Sequence, residues 1–184
     1  MGNDAERYRR FLDGDDNGLI EIIDEYHEGM SLYLNSIVNN MCLADDIVQE
    51  TFVKLAIKKP PFRGKCSFKT WLFTIARNCA VDHLRKDQKI SDLSLDEHLV
   101  ISDVIDTEKE YFKEEQKKEL YRAMKRLNPE YYQVLYLMYF EDLDTSDIAR
   151  IMHKAKRQVS DLIFRARKSL RSELERKGFI YERY

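Results

Sequence analysis

From Arg150 to Arg171 the chain sets eight bases against a single acid, Asp161. They fall in two groups: Arg150, Lys154, Lys156 and Arg157, then Arg165, Arg167, Lys168 and Arg171. The chemistry they suit is binding of a polyanion. Lysine and arginine take phosphates, while Gln158, Ser160 and Asp161 offer hydrogen bonds to base edges. A second group lies in residues 58–86. There a basic loop, Lys58-Lys-Pro-Pro-Phe-Arg-Gly-Lys, precedes a helix carrying Lys69, Phe73, Arg77 and Asn78. Cations beside aromatic rings and amides suit an unstacked single strand, with phosphates neutralised and a ring under the base. Phe73 reads as exposed, and Thr70, Thr74, Arg77, Asn78 and Arg85 as facing outward. Phe68 and Trp71 read as core. Phe62, in the loop beside Arg63 and Gly64, is less easily placed there. A third group, Asp45, Asp46, Gln49 and Glu50, forms an acidic helix face whose default reading is solvated surface.

Catalysis has no such footing. The glycines form no phosphate-cradling loop, and His27, His83, His98 and His153 show no metal-ligand spacing. The carboxylates fall in acidic surface runs rather than an apolar cleft. No enzymatic activity, metal or cofactor is expected. Cys42, Cys66 and Cys79 are odd in number and lack C-x-x-C spacing, so they read as reduced, mostly buried thiols of a cytoplasmic protein.

The elements that must position these groups are helices. Only 6 glycines and 3 prolines interrupt 184 residues. Residues 6–28 read as a first helix, with Leu19, Ile20, Ile23 and His27 inside. Leu34, Ile37, Val38 and Met41 are the inner stripe of the next. Asp45 or Asp46 opens a third, which buries Val48, Phe52, Leu55 and Ala56 and stops at Pro60-Pro61. Ser67 caps a fourth, running to about Lys86 with Phe68, Leu72, Ile75 and Cys79 inside. Residues 87–107 hold no helical period and read as a linker. A second helical unit begins near Thr107 and runs first to Leu127. Asn128 caps the next helix with Pro129 at its first position, and Asp144 caps the one after. The last helix turns Val159, Leu162, Ile163, Ala166 and Leu170 inward. The fold class is all-α: two helical domains, residues 1–86 and 108–184, the second a helix-turn-helix.

Charge follows the same division. Residues 1–53 hold twelve acids and three bases, and residues 54–86 nine bases and one acid. Residues 87–115 return to ten acids and three bases, and residues 116–184 carry sixteen bases and ten acids. A net charge of −2 thus conceals two polyanion-facing surfaces with an acidic spacer between them. No apolar run reaches membrane-spanning length, and the first residues carry no signal-peptide core.

Two runs of residues carry a family resemblance. Ala44-Asp-Asp-Ile-Val-Gln-Glu-Thr-Phe-Val-Lys-Leu55, Phe62-Arg-Gly, Ser67-Phe-Lys-Thr-Trp-Leu-Phe-Thr-Ile-Ala-Arg-Asn78 and Val81-Asp-His-Leu-Arg85 resemble region 2 of bacterial extracytoplasmic-function (ECF) sigma factors. Leu127-Asn-Pro-Glu, Tyr139-Phe-Glu-Asp-Leu, Asp147-Ile-Ala-Arg-Ile-Met and Phe164-Arg-Ala-Arg-Lys-Ser-Leu-Arg resemble their region 4.

The resemblance implies that Asp45, Asp46, Gln49 and Glu50 dock on the clamp helices of core RNA polymerase. It implies that Phe62, Arg63, Lys69, Phe73, Arg77 and Asn78 serve the melted minus-ten strand. Lys154, Lys156, Arg157, Gln158, Ser160, Asp161 and Arg165 would read the minus-thirty-five duplex. An anti-sigma factor is the further partner implied. The chain departs from the family at His153, where relatives usually have a small residue, often glycine. It departs again at Ser160-Asp161-Leu162, where relatives often carry more bases. From the residues alone, a stand-alone helix-turn-helix regulator that never meets polymerase stays open, as does a helical adaptor that binds proteins and no nucleic acid.

Overall fold

The computed structural model describes residues 3–91 and 115–176, which form helices and their joints with no strand among them. Four helices build the first unit: α1 (Asn3–Leu12), α2 (Asn17–Val38), α3 (Met41–Lys58) and α4 (Phe68–Ser91). Four build the second: α5 (Glu115–Met124), α6 (Pro129–Tyr139), α7 (Thr145–Ile151) and α8 (Lys156–Arg176). Most of the expected linker lies outside the described residues, as does the expected helix start near Thr107. The linker's first residues continue α4.

The joints obey local chemistry. α1 ends where the amides of Gly14 and Asp15 return to Phe11 and Arg10 carbonyls, with Gly14 at φ 105°, a turn that needs a residue without Cβ. α3 begins earlier than expected. Asn40 is extended and its side chain accepts from Leu43 N–H at 3.1 Å, so Asn40 rather than Asp45 or Asp46 is the cap. Lys59 closes the helix in the left-handed region, directly before Pro60. Ser67 caps α4 as expected, accepting from Thr70 N–H at 3.0 Å.

α2 packs against α1, α3 and α4. Its inner stripe is Leu19, Ile22, Tyr26, Met30 and Tyr33, not the expected Leu19, Ile20, Ile23 and His27. Ile20 is exposed, and Gly29 lies within the helix rather than between two. Ile22, Leu34, Leu55 and Leu72 have no solvent exposure; each such side chain contributes roughly 1.5–3 kcal/mol by burial. Gly18 marks the closest approach of α1 and α2. A Cβ there would stand 2.2 Å from the Arg7 carbonyl oxygen and 2.9 Å from Phe11 N. In the second unit α8 packs on α5 and α6. Val159, Leu162, Ile163, Ala166, Leu170 and Leu174 are its buried side, the first five as expected.

Candidate nucleic-acid and polymerase interfaces

The acidic side of α3 is solvent-facing. Asp46, Gln49 and Glu50 are exposed and Asp45 half-buried, with one Asp45 carboxylate oxygen enclosed and unpaired. One and two turns on, Val53 and Ile57 are also exposed, at 54% and 77%. An acidic patch thus runs into two bare aliphatic side chains along one helix. Lys54 donates to Glu50 at 2.8 Å and reaches Cys79 Sγ at 3.4 Å. The Lys54 bond holds the Glu50 carboxyl below its ordinary range, so it is charged near neutrality. Ile57 escaped the sequence reading, although its spacing from Val53 carries the signal.

The loop after α3 is anchored to α1. Tyr8 Oη donates to the Pro60 carbonyl oxygen at 2.8 Å, and Lys59 Nζ stands 4.7 Å over the Phe11 ring. Burial pushes the Tyr8 phenol up to about 12, so it remains a donor at neutral pH. Phe62 is half-buried, 5.5 Å from Phe68 and 5.4 Å from Trp71 by ring centroid. A cavity of about 250 Å³ opens beside it, lined by Tyr8, Arg9 and Leu12 of α1 and by Phe62, Arg63 and Gly64. Arg63 and Lys65 are exposed.

On α4 the expectation needs correction. Phe73 is fully buried against Tyr26 and Tyr33, so it cannot stack under a base. Thr70 is fully buried too. The physical reason is that α1, α2 and α3 all pack on α4, so its buried side is wider than one stripe. Arg77 is half-buried near Tyr33, whose phenol pKa burial drives upward and the Arg77 charge pulls back. Lys69 is half-buried with its ammonium over Tyr26, and Asn78 is exposed. The thiols also differ in part: Cys79 is buried, Cys66 half-buried and Cys42 exposed, all unbridged.

The second unit holds the helix-turn-helix. Asp144 accepts from Ser146 N–H at 2.7 Å and Asp147 N–H at 2.8 Å, capping α7 as expected. Those amide donors, Asp147's first, hold its carboxyl below the ordinary range. α7 closes through Lys154 N–H on the Ala149 carbonyl oxygen, with His153 at φ 52°. Histidine therefore adopts the left-handed turn that glycine usually supplies.

Several expected DNA-facing groups have partners within the unit. Lys154 Nζ pairs with Glu130 at 2.9 Å. Gln158 Oε1 accepts from Ala155 N–H at 2.8 Å, capping its own helix. Arg167 lies back on α6, 3.3 Å from Met138 Sδ and over the Tyr139 ring. Lys156, Arg157, Ser160, Asp161 and Arg165 are exposed along α8. Arg157, Arg165 and Lys168 have no salt bridge among the described residues. Phe164 is 73% exposed on this same side, between Asp161 and Lys168. Its spacing from the inward Leu162 and Ile163 could have marked it.

The comparisons fall on these two units. Residues 22–90 match the family model of Sigma-70 region 2, and residues 117–170 that of Sigma-70, region 4. The RNA polymerase sigma factor YlaC of Bacillus subtilis is 29% identical over 84% of this chain and 90% of its own. The ECF RNA polymerase sigma factor SigW of the same organism is 26% identical over 92% and 95%. Among solved structures, CnrH in complex with the cytosolic domain of CnrY matches with a TM-score of 0.63 at 18% identity, covering 94% of this chain and 97% of that one. The sigma factor RpoE from Bartonella quintana, in complex with the anti-sigma factor NepR, matches with 0.62 at 23%, covering 84% and 95%. The fold is thus that of these proteins, all-α with two helical units. A stand-alone helix-turn-helix regulator would leave region 2 without a purpose. The chain belongs to the ECF sigma factors, the RNA polymerase subunits that carry regions 2 and 4 and direct the enzyme to promoters.

Proposed function

We propose that the side of α3 formed by Asp45, Asp46, Gln49 and Glu50, extended by Val53 and Ile57, docks on the clamp helices of the largest polymerase subunit. The observation that carries this reading is the exposure of Val53 and Ile57 next to a charged patch. Two large aliphatic side chains in water gain from being covered, and flanking carboxylates select a basic partner. Phe62, Arg63 and Asn78, with Lys69 and Arg77 behind them, serve the melted minus-ten strand. α8 reads the minus-thirty-five duplex through Arg157, Ser160, Asp161 and Arg165, with Lys156 on phosphate. Residues 1–86 and 108–184 act as the two functional domains. The chain has no catalysis of its own and works in the cytoplasm; among the described residues no helix is long and apolar enough to cross a membrane. An anti-sigma factor covering these surfaces completes the reading.

The test is binding to core polymerase from the source organism, with Asp46→Arg as the comparison. The expected result is tight binding by the wild type and loss in a folded variant. A variant that binds as tightly as the wild type would remove α3 from the interface.

A further inference from the structure

α1 lies outside the residues that match region 2, which begin at Ile22. It nonetheless forms half of the cavity beside Phe62. Tyr8, Arg9 and Leu12 supply one side, and Phe62, Arg63 and Gly64 the other. About 250 Å³ is smaller than most pockets for drug-sized ligands, a size suited to one nucleobase rather than a stretch of strand. The lining offers aromatic carbon from Tyr8 and Phe62 and the side chains of two arginines, Arg9 and Arg63.

α1 also holds the loop in place. The Tyr8 hydroxyl fixes the Pro60 carbonyl, and the Tyr8 ring lies 5.3 Å from Trp71 and 5.5 Å from Phe68. Lys59 sits at φ 42° ahead of a proline, a backbone state that sterics disfavour. Its ammonium over Phe11 ties that strained residue to α1. Arg9 is differently placed. Its partner is Glu6 at 2.7 Å, with both side chains more than half exposed. Such surface pairs are weak, so a phosphate can displace Glu6.

We propose that α1 is the second wall of a nucleotide-capture site, in which Tyr8 is a positioning residue and Arg9 binds the phosphate of the base seated beside Phe62. The ligand class is single-stranded DNA, one nucleotide of it buried. This rests on the minus-ten reading above and adds residues that the family match does not reach.

The experiment uses holoenzyme reconstituted from the full chain. The probe is a fluorescent single strand from the minus-ten region of a start site mapped with that holoenzyme, compared with its complement. The wild type is expected to prefer the non-template strand. Arg9→Gln should bind that strand about tenfold more weakly, with a log-affinity against log-salt slope shallower by about 0.7, the loss of one single-strand phosphate contact. Tyr8→Phe keeps the ring and should weaken binding with the slope unchanged. Thermal unfolding of each variant, and an unchanged affinity for core polymerase, confirm the fold. Wild-type affinity and slope in Arg9→Gln, alongside loss of binding in Arg63→Gln, would overturn the proposal and leave the minus-ten reading standing. A wild type that prefers neither strand would remove that reading, and this proposal with it.

Discussion

Lys154 in the helix-turn-helix joint is paired with Glu130 in the first turn of α6, at 2.9 Å. At 30% side-chain exposure, against 62% for Arg9, Lys154 is the more enclosed cation, and its pair holds back a charge that the sequence offers to phosphate. Glu130→Gln is expected to release it. Duplex affinity of the holoenzyme should then rise severalfold, with a salt slope steeper by about 0.9. Lys154→Gln should leave the slope unchanged. Affinities measured across a salt series decide both.

Asp144 connects protonation to the helix-turn-helix. Its carboxyl is held low in the folded state by amide donors. The stability it contributes is present above the unfolded aspartate value, about 3.9, and is lost as pH falls through the lower folded value. Asp144→Ala should destabilise the chain by about 1 kcal/mol near pH 7. That difference should shrink below about pH 4. Asp144→Asn keeps the cap acceptor and should lose less. Denaturant melts of the three proteins at pH 7 and pH 3.5 provide the check.

His153 occupies a left-handed turn at φ 52°. A side chain there is strained by roughly 1–2 kcal/mol, and glycine has no such strain. His153→Gly is expected to raise stability by up to about 1 kcal/mol, the remainder being offset by glycine's larger unfolded-state entropy. Thermal melting should show an upward shift. No change, or a fall, would mean that the histidine's own contacts outweigh the backbone term.

Gly18 lets α1 lie directly on α2. Gly18→Ala pushes a methyl into the Arg7 carbonyl and Phe11 amide, backbone atoms that yield only if α1 moves. A cost of about 1–3 kcal/mol is expected. Because α1 carries Tyr8, the Tyr8–Pro60 bond should weaken with it. Hydrogen exchange should report faster opening in residues 59–66 than in α3.

Ser67, Asn128 and Asp144 were legible as caps because a cap is local: one side chain meets an amide two or three residues on. Asn40 was missed because Asp45 and Asp46 offer the same chemistry a turn later, and only the extended backbone at 40 decides between them. α1 was indistinct because its surface is mostly charge. Glu6, Arg7, Arg9 and Arg10 surround just two buried rings, Tyr8 and Phe11. Phe73 and Thr70 were misread for a tertiary reason, since periodicity finds one inward stripe and α4 is enclosed by three helices. The basic residues of α8 and of the joint before it were visible as charge. Which of them remain available depended on Glu130, Met138 and Tyr139, and so on which atoms α6 brings close.

The cap that Gln158 makes on its own helix has a further consequence. Two-point recognition of adenine by an amide needs its oxygen and its nitrogen together, and here the oxygen is engaged by Ala155 N–H. On the proposed reading, α8 enters the groove with one letter of its alphabet struck out. An element read by so few side chains carries little information by itself. A promoter set must then be defined by conjunction, with two short, ambiguous words acceptable only when both are present at the right spacing. Such a factor gains selectivity from syntax more than from vocabulary.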